Sequence, residues 1–330
     1  MTSAKSSSPL TSVCNPIVFF GSSEFSLPTL EFLLTSFEKL TVITTPDRPQ
    51  GRGLKLQPNP VKERSEKAGI HTLSPAKLRD PELEKKVVDL RPDCFVVASY
   101  GKMIPESWLK IPSKAAFNLH PSLLPKYRGA APIPWQILEG EKETGVSVAE
   151  VTKDLDAGDL FHQIRIPLSG KETTESLTKK LADLARRAIE EVFLMMAKQS
   201  LNRIRQDHSK STYARKLTKE DGCLNLALSS AELERKVRAF HPWPGTFIAY
   251  EGKPLRIMET EVESIACAEA VPGALLEIHP QGFLRIQTGK GALKVFKVQL
   301  PGRRVVSAQE FANGERLKPG IVFQNLSASK

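Results

Sequence analysis

Asn118 and His120 close the apolar run AAFNLH, and three acids, Asp154, Asp156 and Asp159, crowd the later stretch VTKDLDAGDL. Together these residue types can work on a carbonyl carbon. An asparagine amide donates a hydrogen bond to the oxyanion that develops on a carbonyl oxygen. A histidine does the same when protonated, or moves a proton when neutral. A carboxylate alongside fixes the ring's orientation and stabilises its protonated form. The set suits attack by an amine on a carbonyl-type carbon, needing no metal and no nucleophile from the protein. The alternative is that Asn118 and His120 only satisfy backbone groups of the loop PSLLPKYRGAAP behind them. Spacing alone does not separate the two.

Other chemistries lack their residues. GSSEF, after the first apolar run, has one glycine and is no dinucleotide fingerprint, and no GxxxxGK[ST] occurs. HExxH and GxSxG are absent too, which disfavours kinases, dehydrogenases and serine hydrolases. A second informative stretch is TPDRPQGRGLKLQPNP, residues 45–60, where Arg48, Arg52 and Lys55 project from a Pro/Gly framework. It is longer than the ~2–6 residues usual for a strand–helix connection. A basic loop at that edge suits contact with a phosphate backbone or a base; a solvated loop is the plainer reading.

The elements that must position these groups alternate over the first 170 residues. IVFFGSS, LTVITTP, CFVVASY, AAFNLH and GVSVAEV read as strands, and the segments up to Phe37, at 61–69, 81–90 and 132–140 as helices. Such alternation implies a doubly wound α/β domain with a mostly parallel, Rossmann-like sheet. Its ligand crevice lies outside the carboxyl ends of the strands, where Asn118 and His120 fall. Residues 174–199 carry Leu177, Leu181, Leu184, Ala188, Val192 and Met195 at helical spacing, one face of a long helix. Residues 201–222 are polar, basic and aperiodic, as a linker is. From 229 a Ser-started, Pro-stopped helix precedes the strand-like runs TFIAYEG, PLRIMETEV, GALLEIH, GFLRIQTG and ALKVFKVQL, a pattern for a small OB-like β-barrel. The expected organisation is a disordered extension at 1–15, a catalytic domain at 16–200, a linker at 201–222 and the barrel at 223–330.

A chain of 330 residues exceeds the ~100–150 of one domain, which agrees with two. No run approaches the ~18 apolar residues of a membrane span. Cys14, Cys94, Cys223 and Cys267 are scattered, with no CxxC pair, which argues against a disulfide framework and fits a reducing cytoplasm. The net charge is +10, and residues 201–330 hold 20 Lys and Arg against 13 Asp and Glu. That excess suits a polyanionic partner, or a basic surface that aids solubility.

FNLHPSLLPKYRGAAPIPW followed by ETGVSVAEVTKDLDAGDL resembles the tetrahydrofolate-dependent formyltransferases, whose signature is Asn, His, SLLP and then Asp in a D-A-G-D turn. TPDRPQGRG, YARKL and ERKVRAFHPWPGTF extend the likeness to the branch whose acceptor is initiator methionyl-tRNA. The resemblance implies that Asn118 and His120 polarise the formyl group of 10-formyltetrahydrofolate and that Asp156 assists proton transfer. It puts the donor's pterin beside Ser122, Leu123, Leu124 and Pro125, with Tyr100 and Met103 nearby. It gives the tRNA to Arg48, Arg52 and Lys55, and to the basic linker and barrel. It further implies a metal-free, monomeric, cytoplasmic enzyme of translation initiation, off the membrane. Three departures stand out: GSSEFS where the family has G-T-P-x-F-A, His241 where it has Asn, and LNL at 224–226 where it has an acidic-aromatic pair. UDP-amino-sugar formyltransferases share the core and are the main rival enzymes; a catalytically silent RNA-binding module is the rival from another class.

Overall fold

The computed structural model describes Leu10 and residues 13–50, 55–264 and 270–326. Its contacts group into two units, one of residues up to Pro132 with Glu143–Pro167 and Thr178–Arg215, the other of Ile133–Lys142, Leu168–Leu177 and Lys216 onward.

In the first unit β1 (Ile17–Gly21) leads to α1 (Leu27–Ser36) and β2 (Leu40–Ile43). A hairpin of β3 (Arg48–Gln50) and β4 (Lys55–Gln57) follows, then α2 (Pro60–Lys67), β5 (Thr72–Leu73), α3 (Pro81–Asp89) and β6 (Cys94–Ala98). β7 (Ala115–His120) is succeeded by the short β8 (Arg128–Gly129), α4 (Pro132–Glu139), whose residues from Ile133 group with the second unit, β9 (Glu143–Glu150), β10 (Leu160–Pro167), α5 (Thr174–Ala197), which groups with the first unit from Thr178, and the short β11 (Tyr213–Ala214). The main sheet runs β10-β9-β7-β6-β1-β2-β5. Its β7-to-β5 part is parallel, whereas β9 runs antiparallel to β7, and β10 antiparallel to β9. β1 is buried at every residue, as a strand covered on both faces must be.

The periodic face of α5 behaves as its spacing predicts. Leu177, Leu181, Leu184, Ala188 and Val192 are buried, and Met195 is half-buried. Phe193, fully buried, meets Phe37 edge-on at 5.2 Å and lies 6.1 Å from Phe117 of β7 and 6.4 Å from Phe32. Phe117 and Leu119 are thus committed to the core, and pleat alternation sends Asn118 and His120 to the opposite face.

Three expectations need correction. Residues 201–215 are not a free linker: Leu160 and Ile204 exchange both backbone hydrogen bonds at 2.8 Å, and β11 pairs in parallel with β8. Polar side chains that bury themselves by hydrogen bonding to backbone leave no hydrophobic period, so the segment reads as linker. The 1–15 extension is not free throughout, because Leu10 and Cys14 are buried; residues 1–9, 11 and 12 lie outside the described residues. Finally, Cys14 and Cys94 form a disulfide across 80 residues of sequence, with Cα atoms 6.1 Å apart. Parallel pairing sets Ile17 beside Cys94 and so brings the residues before β1 to the start of β6, which spacing in the sequence cannot reveal. Cys223 is free, and Cys267 lies outside the described residues.

In the second unit α6 (Ser230–Ala239) starts at Ser229 with a capping box closed by Glu232. β12 (Thr246–Tyr250), β13 (Lys253–Glu263), β14 (Leu275–His279), β15 (Phe283–Gln287), β16 (Ala292–Gln299) and β17 (Val306–Ser307) follow, then α7 (Ala308–Gly314). The sheet is antiparallel in the order β12-β13-β16-β15-β14, with β17 beside β16. Both outer strands meet the C-terminal segment, where Ala249 bridges to Gln324 and Ala274 to Val322. The unit's core includes Leu233, Ile248, Leu284, Val295 and Phe323.

Phe193→Ala removes the ring that joins α1, β7 and α5. It is expected to cost about 3–5 kcal/mol of stability, the range for emptying a buried aromatic site. Denaturant unfolding of the variant and the parent checks this.

Candidate active site

Asp156 joins the two residues of β7. Its carboxylate accepts from Asn118 Nδ2 at 2.9 Å through Oδ1 and from the Gly129 amide at 2.9 Å through Oδ2. Oδ2 also lies 3.6 Å from His120 Nδ1, and both side chains are more than nine-tenths buried. The other ring nitrogen, Nε2, is 2.8 Å from the Tyr127 carbonyl. A carbonyl oxygen only accepts, so Nε2 carries the hydrogen and the neutral ring keeps its lone pair on Nδ1, the edge that faces Asp156. His120 thus does satisfy a loop carbonyl, and that bond leaves Nδ1 as the ring nitrogen without the hydrogen. Among the described residues Asn118 makes its side-chain hydrogen bond to Asp156 alone, so its second N–H is available to an oxyanion.

Two glycines let the chain approach closely enough. Gly129, at φ +112°, packs where an added Cβ would meet the Ala214 carbonyl oxygen at 2.8 Å. At Gly158 an added Cβ would stand 2.1 Å from the Glu150 carbonyl oxygen. Asp156 itself adopts φ +52°, an uncommon left-handed conformation for a residue other than glycine.

The SLLP turn is stiff. Ser122 is fully buried, and its hydroxyl donates to the Lys126 carbonyl at 2.6 Å. Ser147 Oγ donates to the Ser122 carbonyl at 2.7 Å and accepts from the Leu124 amide at 3.0 Å. Leu124 packs on Ala149 and Leu160, which leaves Leu123 and Pro125 as the half-exposed members. Tyr100 is buried against Phe20, and burial pushes its hydroxyl up to about 12, so it stays protonated at ordinary pH. Met103 is 58% exposed.

Of the basic loop, Arg48 and Lys55 sit exposed on the β3–β4 hairpin, while Arg52 lies outside the described residues. Lys102 joins this edge unannounced by any motif. Its ammonium donates to the Pro75 and Ala76 carbonyls at 2.9 and 2.8 Å. Burial and then the nearby Arg48 charge hold its pKa below the usual lysine value. In the GSSEFS departure, Ser22 Oγ donates to the Tyr100 carbonyl and accepts from the Thr45 amide, each at 3.2 Å. The variant linker and loop positions are also accommodated: Leu224 and Leu226 are buried, and His241 Nε2 lies 3.7 Å from Glu175. Among the described residues no group of three or more His, Cys, Asp or Glu is placed to hold a metal ion, and no helix is long and apolar enough to cross a membrane.

The doubly wound sheet thus places an amide and an imidazole at the end of β7, with a carboxylate from the β9–β10 connection against them. The chain belongs to the formyl transferase family, whose sequence pattern matches residues 17–193, with that family's C-terminal domain matching residues 216–316. It is 39% identical to a methionyl-tRNA formyltransferase of Geobacter metallireducens over 92% of this chain and 97% of that protein. It is 36% identical to another of that name from Desulforamulus reducens, over 93% and 97%. Among solved structures it resembles an N-formyltransferase from Helicobacter canadensis in complex with folinic acid and dTDP-3-aminofucose. That likeness has a TM-score of 0.65 at 17% identity, covers 86% of this chain and 98% of that one, and speaks to the fold alone.

Gly158→Ala must push the Asp156 turn off the Glu150 carbonyl and is expected to destabilise by ~1–3 kcal/mol, the scale of overpacking. Gly314→Ala, with no atom within 4 Å of the added carbon, is the control and should stay within ~0.5 kcal/mol of the parent. Chemical denaturation midpoints distinguish them.

Proposed function

We propose that the chain transfers the formyl group of 10-formyltetrahydrofolate to the amino group of initiator methionyl-tRNA, giving N-formylmethionyl-tRNA for translation initiation. The convergence of Asn118, His120 and Asp156 carries this reading, in a chain similar to methionyl-tRNA formyltransferases over more than nine-tenths of its length. The donor supplies an amide-level formyl carbon bound to nitrogen. Asn118 directs its free N–H at the formyl oxygen, where negative charge grows as the amine adds. His120 Nδ1 takes the proton the amine releases, and Asp156 stabilises the imidazolium so formed. The same nitrogen hands that proton to the folate nitrogen as the C–N bond to it breaks, so the chain ends unchanged. Nε2, bonded to the Tyr127 carbonyl, holds the ring through both steps.

Leu123 and Pro125, on the rigid turn beside His120, and the Tyr100 segment at the next strand end offer a wall for the pterin. Arg48, Arg52 and Lys55, with the basic excess beyond residue 200, give phosphate contacts. The reading makes the chain a cytoplasmic monomer with tRNA and folate as its partners.

Radiolabelled formyl transfer to charged initiator tRNA tests the proposal. Absence of product there, with formylation of a UDP-amino-sugar instead, would transfer the chain to the sugar-modifying branch. Asn118→Ala and His120→Ala should each lower turnover by ~10²–10³-fold, the scale of losing an oxyanion donor, while tRNA binding persists. Arg52→Ala should raise KM for tRNA and leave KM for the folate unchanged; the opposite pattern would remove the loop from the tRNA site.

A further inference from the structure

Gln206 lies in the segment whose composition reads as linker, yet it is only 4% exposed. Its Nε2 donates to the Asp156 carbonyl at 2.9 Å and to the Gly158 carbonyl at 2.6 Å. Its Oε1 accepts from Arg128 Nη2 at 2.7 Å. The amide cannot be turned over: carbonyl oxygens only accept and a guanidinium only donates, so each end of the side chain has one possible role. Arg128 is 3% exposed, and besides Gln206 its side chain meets His208 Nδ1 at 3.0 Å. Among the described residues no carboxylate pairs with it. The residue after Arg128 is Gly129, whose N–H holds Asp156 Oδ2. Asp156 is therefore gripped at both ends, by Gly129 on its carboxylate and by Gln206 on its peptide carbonyl, and the two grips are tied through Arg128.

We propose that Gln206, oriented by Arg128, is a positioning residue for the reaction: it sets the peptide of Asp156, and hence the distance between that carboxylate and His120. The physical need is local. Asp156 occupies a left-handed conformation that costs on its own and persists only where its surroundings impose it. Without the two bonds from Gln206, the Asp156–Gly158 turn relaxes and the carboxylate leaves Asn118 and His120. A shift of about 1 Å at a catalytic group is worth up to ~10²-fold in rate. Gln206 touches neither the acceptor nor the donor, so substrate binding is untouched.

The inference rests on the formyl-transfer reading, and a double-mutant cycle tests the two separately. Gln206→Leu should lower kcat ~10–100-fold with KM for tRNA and folate within about twofold of the parent. In an Asp156→Asn background the same substitution should cost nothing further, because a residue acting only through Asp156 has nothing left to position. Gln206→Glu keeps the acceptor for Arg128 but turns an oxygen toward the two carbonyls, so it should lose as much kcat as Gln206→Leu. It also carries the comparison should Gln206→Leu fail to fold, as judged by circular dichroism and the unfolding midpoint. Full turnover by Gln206→Glu, or an equal loss with and without the Asp156 carboxylate, overturns the assignment while leaving formyl transfer intact. A parent enzyme that transfers no formyl group overturns both.

Discussion

A buried carboxylate organises this molecule. Asp156 is withdrawn from water, and an ionised acid in that setting persists only with hydrogen bonds or opposite charge to replace hydration. The chain supplies them to Oδ1 from β7 through Asn118 and to Oδ2 from β8 through the Gly129 amide, and His120 faces that same Oδ2. Those three contacts require β7, β8 and the β9–β10 connection to meet within a few ångströms. The antiparallel turn-back of β9 along β7 achieves this: Asn118 lies opposite Ala149, so the connection leaving β9 starts level with the middle of β7 and can fold over its face. A parallel crossover would have carried that connection to the far side of the sheet.

How much of this could be read in the sequence depends on which forces left a pattern. Hydrophobic burial did: β1, β6, β7, α5 and α6 fall where alternation, apolar runs and caps predict, and so does the pairing of Asn118 with His120 on one face. Contacts made by polar side chains to backbone did not. Gln206 and Thr212 look like any exposed linker residues until the fold shows a carbonyl or amide waiting for each. β10 was missed for a related reason, since its alternating FHQIRIP begins at the end of the acidic stretch that drew attention to catalysis. The Cys14–Cys94 link and the Arg48–Lys102 neighbourhood depend on strand order, which no local window contains.

The departures at the end of β1 show why motif letters are a poor guide to what a position must do. The physical requirement there is a hydroxyl that ties three strand ends together. Ser22 meets it through the Tyr100 carbonyl and the Thr45 amide, and Ser26 adds a buried 2.5 Å bond to the Ala98 carbonyl. Asn59 completes the lattice by capping α2 while its amide nitrogen donates to the Thr45 carbonyl at 2.8 Å. The strand ends that carry Tyr100 and the basic hairpin are thereby held by hydrogen bonds in addition to the packing of Tyr100 on Phe20.

Every hydrogen bond described around Asp156 comes from the first unit. A polyanion is held by charge that acts over about a Debye length, ~8–10 Å at ordinary salt, and tolerates displacement of any one lysine or arginine. LNL at 224–226 and His241 belong to the second unit and make none of the described hydrogen bonds to Asp156. Around Asp156 the contacts come from the Asn118 and Gln206 side-chain amides, the Gly129 backbone amide and the His120 ring.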